Sequence, residues 1–218
     1  FEPFIGYRPP NLEHSAAHLA GLQALLFDTG WSRLGWPQSA GGLGGDPRFR
    51  AALFQTLWDH DIQIPEPFCT LEILVPVLLV FAPHLADELL PGLLRGDDTW
   101  AQAFSEPDAG SDMASLRTRM EPDGDGYRLY GQKVWSTFGH LSKRSILLAR
   151  SGGPGHKGLT MVLLDLEQDG ADVRPIRAQD GDNHFSEIFL DGAHVPKERV
   201  IGELGQGWAV AMYMLQWE

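Results

Sequence analysis

Hydrophobic positions recur at helical spacing over the first hundred residues and at a spacing of two thereafter. From Asn11 the apolar set Ala16, Leu19, Ala20, Leu22, Ala24 and Leu26 predicts a helix that Asn11 caps and Gly30 ends. A glycine-rich turn runs from Gly41 to Gly45. Asp46 and Pro47 then supply a start signal for a second helix carrying Phe49, Leu53, Leu57 and Trp58. Pro65 and Pro67 break that pattern, and a pair of apolar helices meeting at Pro83 runs to Leu94, closed by Gly96. From Trp100 the period changes. Leu116, Thr118 and Met120 alternate with polar neighbours, Asp123-Gly124-Asp125-Gly126 supplies a turn, and Tyr127, Leu129 and Gly131 continue, which predicts a hairpin. The runs 145–150, 159–166, 172–176 and 185–190 have strand length and predict an all-β barrel or sandwich. Trp208, Ala211, Met212 and Leu215 restore the helical period, and a helix is expected to be running at Glu218.

The pattern therefore predicts an α+β multi-domain chain, helical over 1–99, β over 100–200, with a further helical region opening over 201–218. With 218 residues, 43% hydrophobic and 21% charged, the chain is globular in composition. Its net charge of −12 removes the general attraction to phosphates, which excludes nucleic acid and anionic membrane surfaces as partners of these regions. Cys69 is the only cysteine, so no intramolecular disulfide forms and a reducing compartment is expected. A bacterial cytoplasm, or the mitochondrial matrix if the source is eukaryotic, is the expected compartment. The most apolar run, Leu71 to Ala82, is too short to span a bilayer and reads as a buried helix. The chain opens on Phe1 without a leader pattern, which predicts residues upstream.

Two stretches carry candidate chemistry. In Ala103-Phe104-Ser105-Glu106-Pro107-Asp108-Ala109-Gly110-Ser111-Asp112 a short strand runs into hydroxyls and a glycine that lets backbone N–H groups face an anion; a capped turn is the plainer alternative. In Gly131-Gln132-Lys133-Val134-Trp135-Ser136-Thr137 an indole lies two residues before a hydroxyl. Such a plane suits a flat heteroaromatic cofactor, and a strand-end tryptophan in the core is the alternative.

These two stretches resemble blocks of the acyl-CoA dehydrogenase family. So do Leu147-Leu148-Ala149-Arg150, Phe185 to Asp191, Val195-Pro196 and Gly202 to Trp208, which follow in the family's order, and Trp36-Pro37 and Leu89 to Gly96 in the helical region. The resemblance implies a helical N-terminal domain, a central β-barrel and a C-terminal four-helix bundle, of which about 100 or more residues would follow Glu218. It implies FAD as cofactor. Gln102, Phe104 and Ser105 would line the flavin, Gly110 and Ser111 would reach the pyrophosphate, Ser111 would also meet the acyl-CoA, Trp135 would cover the ring, and Thr137 would hydrogen-bond its hydride-accepting nitrogen. The implied reaction converts an acyl-CoA to the trans-2-enoyl-CoA, with electrons passed to an electron-transfer flavoprotein or similar acceptor. A dimer or tetramer is implied as well. Glu218 falls where some branches place the base that removes the α-proton; others place it later, and an ion-pairing helix residue is the alternative role. A non-catalytic partner subunit of a heteromeric dehydrogenase, and a flavin oxidase or monooxygenase of the same fold, are the alternative functions.

Other features read as structural. His14 and His18 lie one helical turn apart without a third metal ligand, and Asp180-Gly181-Asp182-Asn183 lacks the terminal glutamate of a calcium loop. No metal site is expected. Gly202 to Gly207 does not have the order of a dinucleotide fingerprint. Cys69 and the tryptophans other than Trp135 read as packing.

Overall fold

The computed structural model describes residues 1–64 and 66–218, the side chains of 66–69 excepted, so the expectations placed on Pro65 and on the Cys69 side chain lie outside the described residues. The chain forms two compact units, Phe1–Thr99 and Trp100–Glu218.

The first unit holds four α-helices: α1 (Leu12–Asp28), α2 (Arg48–Asp59), α3 (Glu66–Phe81) and α4 (Pro83–Arg95). Asn11 caps α1, its Oδ1 accepting from the His14 amide at 3.0 Å, a contact worth about 1 kcal/mol. Leu19, Leu22 and Leu26 form the buried stripe of α1, while Ala16 is exposed. Gln23 is buried in that stripe because its amide donates to Leu93 O at 2.9 Å and Leu94 O at 3.2 Å, two carbonyls in the last turn of α4. Gly96, at φ +86°, ends α4 as expected. α2 starts one residue later than the sequence suggests, with Pro47 at the N-cap and Arg48 the first helical residue, while the Asp46 carboxylate accepts from the Arg48 amide at 2.9 Å just before it. Leu57 is buried but its neighbour Trp58 is 73% exposed, since adjacent helical positions cannot both face inward. The reading of the tryptophans as packing holds for Trp36 and Trp100 and fails for Trp31, Trp58 and Trp217, which are exposed. His14 bonds Asn11 and His18 stacks on Tyr7, and no metal-binding cluster occurs among the described residues. No helix of the described residues is long and apolar enough to cross a membrane.

The second unit is built on one eight-stranded sheet: β1 (Trp100–Ala103), β2 (Arg119–Asp123), β3 (Gly126–Thr137), β4 (Arg144–Arg150), β5 (Leu159–Asp165), β6 (Ala171–Ile176), β7 (Phe185–Pro196) and β8 (Val200–Ile201). The order is β6-β7-β3-β2-β4-β5-β8, with β1 running parallel to β4. The expected hairpin is β2–β3, Asp123 facing Gly126 across a two-residue turn in which Gly124 takes φ +60°. β2 starts only at Arg119, because Met113–Ser115 turns as a 3-10 helix and delays the pairing. Ala103, Leu129, Leu147, Val162, Leu164, Ile188 and Val195 form the centre of the core.

A fifth helix, α5 (Gly207–Met214), packs on β5 through Val210, Ala211 and Met214. Glu218 is not inside it. After Leu215, whose amide still bonds Ala211 O, the amides of Gln216 and Trp217 bond carbonyls three residues back, Tyr213 O and Met214 O, so the α-helical ladder ends and Glu218 is exposed beyond it.

Candidate functional site

A lysine is wholly buried in β3. Lys133 shares the inward phase of Leu129, four residues earlier, and is 0% exposed. Its Nζ donates to Glu106 Oε1 at 2.8 Å and to Phe104 O at 3.1 Å, so both groups sit at the exit of β1. Glu106 is filled further, Oε1 accepting from the Thr118 amide at 2.9 Å and Oε2 from the Arg117 amide at 2.6 Å. Burial alone would raise the Glu106 carboxyl, but the Lys133 charge and these hydrogen bonds outweigh it and hold the group below its ordinary range. Burial lowers the Lys133 ammonium to about 8, against the opposing pull of Glu106. A charge pair taken so far out of water is tolerated only when further hydrogen bonds compensate it, as the two amides do for Glu106 and the Phe104 carbonyl does for Lys133.

Beyond Lys133 the strand changes phase. Lys133 faces Ile188 and Ser136 faces Ser186, so Val134 and Trp135 together oppose the single residue Glu187. This bulge turns Trp135 outward, with φ +61° and 59% exposure, where strict alternation would have put it in phase with Leu129 and inside. Its indole meets Phe185 edge-on, with ring centroids 5.9 Å apart. Thr137, two residues on and paired with Phe185, is exposed as well.

The two sequence stretches meet at this bulge. The Val134 amide donates to Ser105 O at 2.9 Å, and Lys133 reaches Phe104 O, so Phe104 and Ser105 lie beside Trp135. Gln102 and Ser105 are half-buried and Phe104 is buried. Glu106 and Ala109 exchange hydrogen bonds across a turn, from which Gly110 and Ser111 emerge exposed. Nothing lies within 4 Å of a Cβ added at Gly110, and its φ is not left-handed, so the fold itself does not require glycine there. Glu218 stands apart from this set, beyond α5. Glu106 and Lys133 lie within the two sequence stretches, and the sequence signal for their pairing is a lysine in phase with the apolar Leu129. The Asp180–Asn183 segment is a turn, Asp180 Oδ1 accepting from the Asp182 amide at 3.0 Å.

Comparison with known proteins places this arrangement. Residues 101–193 match the family model for the acyl-CoA dehydrogenase middle domain. The acyl-CoA dehydrogenase IpdE1 of Mycobacterium tuberculosis is 36% identical over 222 residues, covering 100% of this chain and 58% of that protein. This chain belongs to the acyl-CoA dehydrogenase family. Its fold is shared with the Tcur3481–Tcur3483 steroid acyl-CoA dehydrogenase, at TM-score 0.81, 28% identity and coverage of 92% of this chain and 52% of the other. It is also shared with the ChsE4–ChsE5 complex of Mycobacterium tuberculosis, at TM-score 0.80, 25% identity and coverage of 94% and 54%. The chain thus spans little more than half the length of these relatives. The family model begins inside β1 and ends inside β7, so both stretches that meet at the Trp135 bulge lie within it.

Proposed function

We propose that this chain contributes the helical N-terminal and middle regions of an FAD-dependent acyl-CoA dehydrogenase that converts an acyl-CoA thioester to its trans-2-enoyl-CoA. The observation that carries the reading is the Trp135 bulge: an exposed indole with the Thr137 hydroxyl on the same strand and Ser105 hydrogen-bonded alongside, in a chain of this family. On this reading the sheet is the family's barrel, residues 1–99 its helical N-terminal domain, and residues 201–218 the opening of its C-terminal bundle.

The residues fit the cofactor chemically. A flat apolar plane next to hydroxyl and amide donors suits a flavin ring, and the exposed turn at Gly110 and Ser111 offers backbone and side-chain donors without crowding, as a pyrophosphate needs. When bound, FAD supplies the two-electron acceptor for the β-hydrogen and its bonding pair. Trp135 would exclude water from one face of the ring, and Gln102, Phe104 and Ser105 would fix its position. Thr137 would donate to the ring nitrogen, and Ser111 would contact both pyrophosphate and acyl-CoA. Glu218 is the candidate base that takes the α-proton. An electron-transfer flavoprotein or similar acceptor would take the electrons onward.

Two relatives support finer choices. Similarity to a protein named as a steroid acyl-CoA dehydrogenase supports a bulky, ring-bearing acyl group. Similarity to a structure titled as a complex of two differently named chains supports a second reading, in which this chain is one subunit of a heteromer and a partner supplies the base. The test is flavin titration of the purified protein followed by acyl-CoA-dependent bleaching of the bound flavin. Binding and bleaching are expected with ring-bearing acyl-CoAs. Failure to bind FAD in any assembly would overturn the reading. Bleaching that appears only with a second chain and survives Glu218→Gln selects the heteromeric form.

A further inference from the structure

The buried ion pair has no part in the chemistry just described, yet it touches every segment that carries the candidate cofactor residues. Glu106 closes the ends of the stretch 107–116: it begins that stretch through its own backbone, bonded to Ala109, and its carboxylate accepts from the amides of Arg117 and Thr118 immediately after it. Gly110 and Ser111 ride on this stretch. Lys133 holds the other side, reaching Phe104 O and Glu106 from the residue just before the Val134–Trp135 bulge. One carboxylate and one ammonium, both buried, thus join the exit of β1, the Gly110–Ser111 turn, the approach to β2 and the bulge of β3.

We propose that Glu106 and Lys133 are positioning residues, whose buried pair sets the Gly110–Ser111 turn and the Trp135 bulge in one fixed arrangement for the bound cofactor. This rests on the FAD reading above. A fold that needed only stability at this place would be served by an apolar pair of similar volume, which often matches or exceeds a buried ion pair. Four directional hydrogen bonds converging on two side chains instead restrict where the connected backbones can lie, and cofactor sites depend on such restriction.

The decisive protein is the double variant Glu106→Gln/Lys133→Met, which leaves no unpaired buried charge and so keeps folding testable where Lys133→Met alone would not. Circular dichroism and thermal unfolding establish its fold. FAD affinity, the vibronic shape of the bound-flavin absorbance, and hydrogen exchange at the Arg117, Thr118 and Val134 amides are then read in the variant and the wild type. The variant is expected to fold, to exchange faster at all three amides, to bind FAD about tenfold or more weakly, and to alter the flavin band shape. Lys133→Arg alone should likewise weaken FAD binding and alter the band shape although the charge is kept, because the larger head group does not fit a site with no exposure. A folded double variant with wild-type FAD affinity and band shape overturns this assignment alone, as does unchanged exchange at Arg117 and Thr118. A wild type that binds no FAD overturns the functional reading, and the positioning role with it. A double variant that does not fold, beside a folded Glu106→Gln variant that binds FAD as the wild type does, also overturns it.

Discussion

The Val134 amide donates to the Ser105 carbonyl at 2.9 Å, and this one bond joins the two stretches of sequence in which candidate chemistry is concentrated. The two bonded residues are about thirty positions apart, with the whole β2–β3 turn between them, and they meet because β3 is bulged at that point and presents an amide outward from its ladder with β7.

Trp135 is held in a left-handed backbone conformation that costs a bulky residue roughly 1–2 kcal/mol. Its edge contact with Phe185 returns a comparable amount, about 1 kcal/mol. Trp135→Gly is therefore expected to leave stability within about 1 kcal/mol of the wild type in urea unfolding while weakening FAD binding in a flavin titration. A loss of several kcal/mol would show that the indole serves the core instead.

The ion pair predicts two limbs of pH dependence, one acid and one alkaline, with stability rising with pH in each. Glu106 has a folded value below its unfolded one of 4.5, so its contribution is present above that value and is lost as pH falls through the folded one. Lys133 has a folded value of about 8 against 10.5 unfolded, so between these the unfolded chain binds more protons and stability rises with pH. Urea unfolding across both windows, with the Glu106→Gln/Lys133→Met variant subtracted, should show both slopes. Superimposable curves would remove the pair as their source.

Arg150 donates to four carbonyls, those of Ala114, Leu116, Gly153 and Gly155, from the end of β4. Arg150→Met should cost about 2 kcal/mol and increase proteolytic cleavage in 151–158, as those segments lose a common anchor. Arg150→Lys should recover little, since a single ammonium cannot span the four acceptors.

Gly207 begins α5 directly against β5, and a Cβ there would stand 2.7 Å from three backbone atoms of Thr160. Gly207→Ala should cost about 2–3 kcal/mol in thermal unfolding. It should also change the fluorescence of Trp208, whose ring stacks on His156 at 3.9 Å. Unchanged stability and fluorescence would show that α5 yields at this contact.

Much of the architecture was legible locally. Asn11 and Gly96 mark helix ends, and Asp46 marks one to within a residue, because caps and left-handed turns depend on one or two residues, and the β2–β3 turn is written in Asp123 to Gly126 for the same reason. The helical and period-two halves separate near residue 100, where the two compact units of the structure also divide. Where competing bonds took over, the pattern misled: the helix stops at Met214 because the following amides switch to tighter turns, and β2 waits until Arg119 because Met113–Ser115 coils first.

By itself, the sequence determined which segments are helix or strand, and through its ordered motifs the family. The tertiary structure decided which way Trp135 faces, since alternation alone puts it inside and only the unequal pairing of β3 with β7 turns it out. It also decided the partners of Glu106 and Lys133. A buried charge can be suspected from its phase along a strand, but the opposite charge and the amides that make its burial tolerable come from distant segments, and only the assembled sheet brings them within hydrogen-bonding distance.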